Sequence, residues 1–183
     1  PNARWYAGPG INRNVWLMSS AGHDCLRIDG LYVFAQKESN KWIVSAFAEP
    51  HNSINGDSKV IFTIDDEHVF SGYPDENGVY KGIVEYDKPD LWDTDSPSVY
   101  RMRADLYVDG DLKDSNFSAF GFRKIDFDPD KGLFLNGRHI KLKGVCIHND
   151  YGAYGSAYNE DIARRQLLAL KDMGANAIRL AHN

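Results

Sequence analysis

The strongest constraint in this sequence is a two-residue rhythm that runs from residue 14 to about residue 108. In VYRMRADLYV, Tyr100, Met102, Ala104, Leu106 and Val108 fall on one side, and Arg101, Arg103, Asp105 and Tyr107 on the other. Successive side chains of a strand point to opposite faces, so this pattern predicts an antiparallel strand with one wet face. KVIFTID repeats it with Val60, Phe62 and Ile64 inward. LYVFAQ, KWIVSAFA and GVYKGIVE are further strands, rich in β-branched and aromatic residues. Turn formers separate them: Glu38-Ser39-Asn40, Asn55-Gly56-Asp57, the run from Pro74 to Gly78, and Asp109-Gly110-Asp111. The last predicts a hairpin joining YV to LKDS, because Asp and Gly tolerate positive φ. About seven short strands in about 100 residues, with no helical stretch, predict a β-sandwich.

The register changes after Arg123. RHIKLKGVCIH reads as one strand whose second half is apolar on both faces, as in a buried parallel sheet. Asn159 offers a helix N-cap, followed by Glu160 and Asp161, where acidic groups suit the helix dipole. Ala163, Leu167 and Leu170 make one apolar stripe, and Gly174 stands where a left-handed residue ends a helix. ANAIRLAH is a second strand, so the three elements form a βαβ unit with parallel strands. Such a pair exposes strand edges and apolar surface that need a cover. Fraying or self-association of residues 139–183 is therefore expected of the chain alone.

Composition excludes more than it assigns. The 26 acidic against 21 basic residues give a net charge of −5, which argues against a nucleic-acid-binding surface. No apolar run approaches the roughly 20 residues that cross a bilayer. Cys25 and Cys146 are too few for a disulfide framework or a zinc site. The chain lacks an initiator Met, and PNARWY lacks the basic start and apolar core of a signal peptide. It reads as a piece of a longer polypeptide, with its compartment unassigned.

In a β/α barrel, functional groups collect at the C-terminal ends of the strands. His148-Asn149-Asp150 ends the first strand here and His182-Asn183 the second. Counting by twos, Leu142 and Cys146 share a face with His148, while Val145 and Ile147 face the helix side. Ile178 and Leu180 take the helix side in the second strand and leave Arg179 inward. Strict alternation puts His182 opposite Arg179, so a bend is needed for both to reach one pocket. Asp150 reads equally well as a cap for the following loop. Tyr151 and Tyr154 read either as packing under that loop or as meeting a ligand, with packing favoured; Glu160 reads as a helix-start residue, and His23, His51, His68 and His139 as solvated. No metal-binding loop, phosphate-binding glycine loop or Ser-His-Asp arrangement is present.

Taken together, three segments resemble glycoside hydrolase family 2: LWDTDSPSVYRMRADLYVDG, FGFRKIDFDPDKGLFLNGRHIKLKGVCIHND and NEDIARRQLLALKDMGANAIRLAHN. The resemblance rests on Trp92, Pro97, Tyr100, Phe120, Gly121, Arg123, Asn136, Gly137, His148, Met173, Gly174, Arg179 and His182. WYAGPGINRNVWL is similar to the end of the family's jelly-roll domain.

The resemblance implies three parts: residues 1–20 as the tail of a jelly-roll sugar-binding domain, 21–123 as an immunoglobulin-like β-sandwich, and 124–183 as the start of a TIM barrel. The fold class is thus mainly β, an immunoglobulin-like β-sandwich followed by the first βαβ unit of a (β/α)8 barrel. It further implies a retaining exo-glycosidase whose acid/base and nucleophile glutamates follow later barrel strands, beyond Asn183. A retaining enzyme needs two carboxylates about 5 Å apart. His148, Arg179 and His182 would line the sugar pocket, with Asp150 a weaker candidate because members vary at its position. The HNDYGAYGSAYNED loop is most similar to β-galactosidases; β-glucuronidase and β-mannosidase are the alternatives within the family. No cofactor is implied for this chain, and the metal requirement of a longer parent stays open. The partner implied is a β-galactoside or oligosaccharide. The alternative from another class is a non-catalytic carbohydrate-binding or scaffolding sandwich module.

Overall fold

The computed structural model describes residues 11, 13–20, 22–148 and 151–181. They fall into two compact units, one of the described residues within 19–139 and the other of those within 1–18 and 140–183.

The main sheet of the larger unit has seven strands: β1 (Leu26–Glu38), β2 (Lys41–Pro50), β3 (Ser58–Ile64), β4 (His68–Pro74), β5 (Tyr80–Tyr86), β6 (Tyr100–Val108) and β7 (Asp111–Phe120). They run in the order β1-β2-β5-β4-β3-β6-β7. This is a sandwich of two leaves, β1-β2-β5 and β4-β3-β6-β7, and β4 belongs to both. Its start pairs with β3 from His68 to Gly72, and its end pairs with β5 at Tyr73 and Pro74. Gly72 sits at the crossing, where a Cβ would meet Phe62 at 2.5 Å and the β5 backbone at 3.0 Å. HVFSGYP carries no clean alternation because its two ends serve different leaves, which is why the sequence pattern does not single it out.

The alternating residues form the core as expected. Val60, Phe62 and Ile64 from β3, and Met102, Ala104, Leu106 and Val108 from β6, are buried against Val44, Ala46 and Ala48 from β2 and Tyr80 from β5. The β6–β7 hairpin turns at Asp109 and Gly110 with φ of 52° and 88°, the paired positive φ of a two-residue type I′ loop. The expectation of a wet outer face on β6 fails at Asp105, which is only 7% exposed. Its carboxylate accepts from Ser115 Oγ at 2.6 Å and Arg103 Nε at 2.9 Å, which compensates its desolvation.

Past β7, Phe122 is fully buried amid Trp42, Tyr86, Tyr100 and Phe120, with ring centroids 4.9 to 5.4 Å away. A small sheet follows in the order β10-β9-β8, from β8 (Ile125–Asp128), β9 (Gly132–Leu135) and β10 (Arg138–Ile140). The second unit contributes β11 (Gly144–Ile147), α1 (Glu160–Asp172) and β12 (Ala177–Leu180), with β11 and β12 parallel.

RHIKLKGVCIH is therefore not one strand. It breaks at Lys141–Lys143 into β10 and β11, which belong to different sheets. The cause is a side chain: Asn176 accepts from the Lys143 N–H at 2.8 Å and donates to the Lys141 carbonyl at 3.1 Å. An amide side chain thus takes the backbone bonds that a continuing strand partner would have taken.

Candidate active-site wall

The β11–α1–β12 unit is built by local rules legible in its residues. Asn159 caps α1 by accepting from the Ile162 N–H at 3.1 Å, and Glu160 and Asp161 fill the first turn. Glu160 is therefore a helix-start residue. At the other end Gly174 has φ of 90°; its N–H bonds to the Lys171 carbonyl and that of Ala175 to the Leu170 carbonyl, a Schellman closure. The apolar stripe differs from the expected one. Ile162, Ala163, Gln166 and Leu170 are half-buried, whereas Leu167 is 45% exposed. At about 100° per residue, Leu167 lies about 90° round from the centre of that arc.

Strand register decides which side chains share a face. Gly144 pairs with Ala177, Val145 with Ile178, Cys146 with Arg179, and Ile147 with Leu180. Arg179 and Cys146 therefore project to the same side, and the guanidinium Nη1 lies 4.0 Å from Cys146 Sγ. The pairing extends to Ala181, whose N–H donates to the Ile147 carbonyl at 3.0 Å. His148, half-buried, follows at the C-terminal end of β11. The loop beyond has a 3-10 turn over Gly152–Tyr154, and Tyr151 meets Tyr158 edge-on at 5.9 Å. Tyr151 thus packs within the loop as expected, whereas Tyr154 is largely exposed. Asp150 and His182 lie outside the described residues.

The structure gives the remaining motif residues a supporting role in the larger unit. Arg123 lies over the Trp92 ring at 4.9 Å, and the Trp92 N–H donates to the Phe122 carbonyl at 2.9 Å. Asn136, in the β9–β10 turn with φ of 53°, accepts from the Lys124 N–H at 2.9 Å and donates to the Trp92 carbonyl at 3.0 Å. Arg138 donates to both oxygens of Asp93, at 2.8 and 3.0 Å. That hydrogen-bonded guanidinium holds the Asp93 carboxyl below the usual carboxylate range. His23, His51, His68 and His139 are exposed. Among the described residues no group of three or more His, Cys, Asp or Glu could hold a metal ion, and no helix is long and apolar enough to cross a membrane.

The model of glycosyl hydrolases family 2 matches residues 27–123, and that family's TIM barrel domain matches 129–183. The chain belongs to glycosyl hydrolase family 2. A β-galactosidase of Bacteroides ovatus is 34% identical across the whole chain, which covers 23% of that relative. A putative β-glucuronidase of Formosa agariphila is 31% identical, again across the whole chain and over 18% of the relative. A solved family 2 member from Bacteroides cellulosilyticus superposes with a TM-score of 0.82 at 28% identity, covering 100% of this chain and 25% of its own. A β-glycosidase from Bacteroides vulgatus superposes with a TM-score of 0.81 at 29% identity, covering 98% and 24%. The chain thus spans a quarter or less of the length of each of these relatives. Its fold is mainly β, an immunoglobulin-like sandwich followed by the start of a TIM barrel, as the sequence predicts.

Proposed function

We propose that this chain is part of a retaining exo-glycosidase acting on terminal β-D-galactosides, with both catalytic glutamates beyond Asn183. The observation that carries the reading is the register of β11 and β12, which puts Arg179 and Cys146 on one face at the strand ends where barrel chemistry collects. His148, Arg179 and His182 are proposed walls of the sugar pocket, and Asp150 a further contact. The ring and guanidinium N–H groups of His148, Arg179 and His182 would donate to sugar hydroxyls or to the catalytic carboxylates. Such bonds raise the rate only where they strengthen as the oxocarbenium-like transition state forms. The galactoside preference draws on the HNDYGAYGSAYNED loop and on the Bacteroides ovatus relative, while the Formosa agariphila relative keeps the glucuronide as the competing substrate. The exposed Ile178 and Leu180 support a second proposal, that β12 is covered by further barrel elements or by self-association of the chain alone.

The test is to assay the longer protein and this chain separately with chromogenic β-galactoside and β-glucuronide. Galactoside turnover by the longer protein, with none by this chain, is expected. Preference for the glucuronide would overturn the substrate assignment. Turnover by this chain alone would overturn the placement of the glutamates and favour a different catalytic pair.

A further inference from the structure

Asn176 stands just ahead of β12 and makes three hydrogen bonds to one short stretch. Its backbone N–H donates to the Lys143 carbonyl at 3.1 Å. Its side-chain oxygen accepts from the Lys143 N–H at 2.8 Å, and its amide nitrogen donates to the Lys141 carbonyl at 3.1 Å. The side chain acts as a surrogate peptide group that starts the parallel ladder one step before Gly144 meets Ala177. Only four residue pairs follow in that ladder, so its first rung carries much of the register.

Register matters here because of what it aligns. A slip of one residue would turn Arg179 to the opposite face. A slip of two would move it about 7 Å along the strand, far from Cys146 and the end of β11. We propose that Asn176 is a positioning residue: it locks β12 against β11 and so fixes Arg179 at the strand-end wall. This rests on the glycosidase reading for its effect on rate, but not for its effect on structure. Asparagine suits the position because its amide offers one acceptor and one donor in a peptide-like plane. Aspartate matches the shape, but when ionised it has no donor for the Lys141 carbonyl; protonation restores one.

The experiment compares wild type, Asn176→Ala and Asn176→Asp in the longer protein. The readouts are amide hydrogen exchange of residues 141–147 and 177–181 and the steady-state constants. Asn176→Ala should lose protection in those two segments while α1 keeps its own. It should lower kcat by about 100-fold, the cost of roughly 1 Å of misplacement, with KM changed less than about threefold. Asn176→Asp should lose protection at pH 7 and regain it as the pH falls through about 4, where an aspartyl carboxyl ordinarily protonates. Unchanged protection in Asn176→Ala, or loss spread equally through α1, would overturn the proposal. So would an Asn176→Asp variant whose protection ignores pH, and that arm still decides if Asn176→Ala does not fold. If the wild-type longer protein hydrolyses no glycoside but the exchange pattern holds, the glycosidase reading fails and the register lock stands.

Discussion

Replacing Phe122 by alanine removes the ring on which four other aromatic side chains converge. Phe122 has no solvent exposure, and Trp42, Tyr86, Tyr100 and Phe120 all place ring centroids within 5.4 Å of it. The rings come from different strands, so the site can collapse only by moving several elements at once. Truncating a buried phenylalanine to alanine costs about 3–5 kcal/mol, and the poor scope for collapse favours the upper half. The larger unit spans residues 19–139. For about 120 residues, an unfolding entropy of about 2.1 cal/mol/K per residue gives about 0.25 kcal/mol per degree. Phe122→Ala should therefore lower the melting temperature of this unit by about 12–20 °C, read by near-ultraviolet circular dichroism or calorimetry. Phe122→Leu, which refills part of the volume without the ring contacts, should fall between it and the wild type. A drop under about 4 °C for Phe122→Ala would refute the reasoning. It would mean either that the cluster closes around the void or that the unit does not melt cooperatively.

Gly82 tests the contact between the leaves from the opposite direction. A Cβ there would lie 2.8 Å from both the Phe62 and Phe70 rings, so Gly82→Ala should cost about 1–3 kcal/mol. A urea midpoint lowered at unchanged slope would confirm it, and an unaltered midpoint would count against close packing between β5 and β3. The Asp93–Arg138 pair sets an acid limit. A carboxyl whose folded pKa is lowered stabilises the fold above its unfolded pKa of about 4, and that contribution fades as pH falls through the folded value. The melting temperatures of wild type and Arg138→Gln should therefore differ near neutral pH and converge as the pH falls below the ordinary carboxylate range and the Asp93 carboxyl protonates. A difference independent of pH would assign the effect to packing of the arginine stem instead.

Much of this fold is legible because single residues obey single rules. Alternation alone orients β3 and β6, and Asn159 and Gly174 mark the ends of α1. Where two constraints compete, legibility fails. β4 changes leaf halfway, so neither half runs long enough to show a period. Asp105 looks like a surface charge until Arg103 and Ser115 enclose it, and both partners are set by tertiary pairing. The break at Lys141–Lys143 is invisible locally because its cause, Asn176, lies 33 residues further on. At the candidate wall, parity suffices to put Arg179 on the face of Cys146, since in parallel strands register partners point the same way. Parity also shows that His182 needs a bend, and that position lies outside the described residues.

The strand-end residues His148 and Arg179 are proposed to line a sugar pocket. Kinetics of His148→Ala and Arg179→Ala in the longer protein, with a chromogenic β-galactoside, test this directly. A hydrogen bond to a charged group is worth about 1.5–3 kcal/mol, so each variant should lose about 10- to 150-fold in kcat/KM. Most of that loss should fall in kcat, with the fold retained by circular dichroism. Folded variants that keep wild-type kcat/KM would contradict the account and leave the strand-end cluster a purely structural feature.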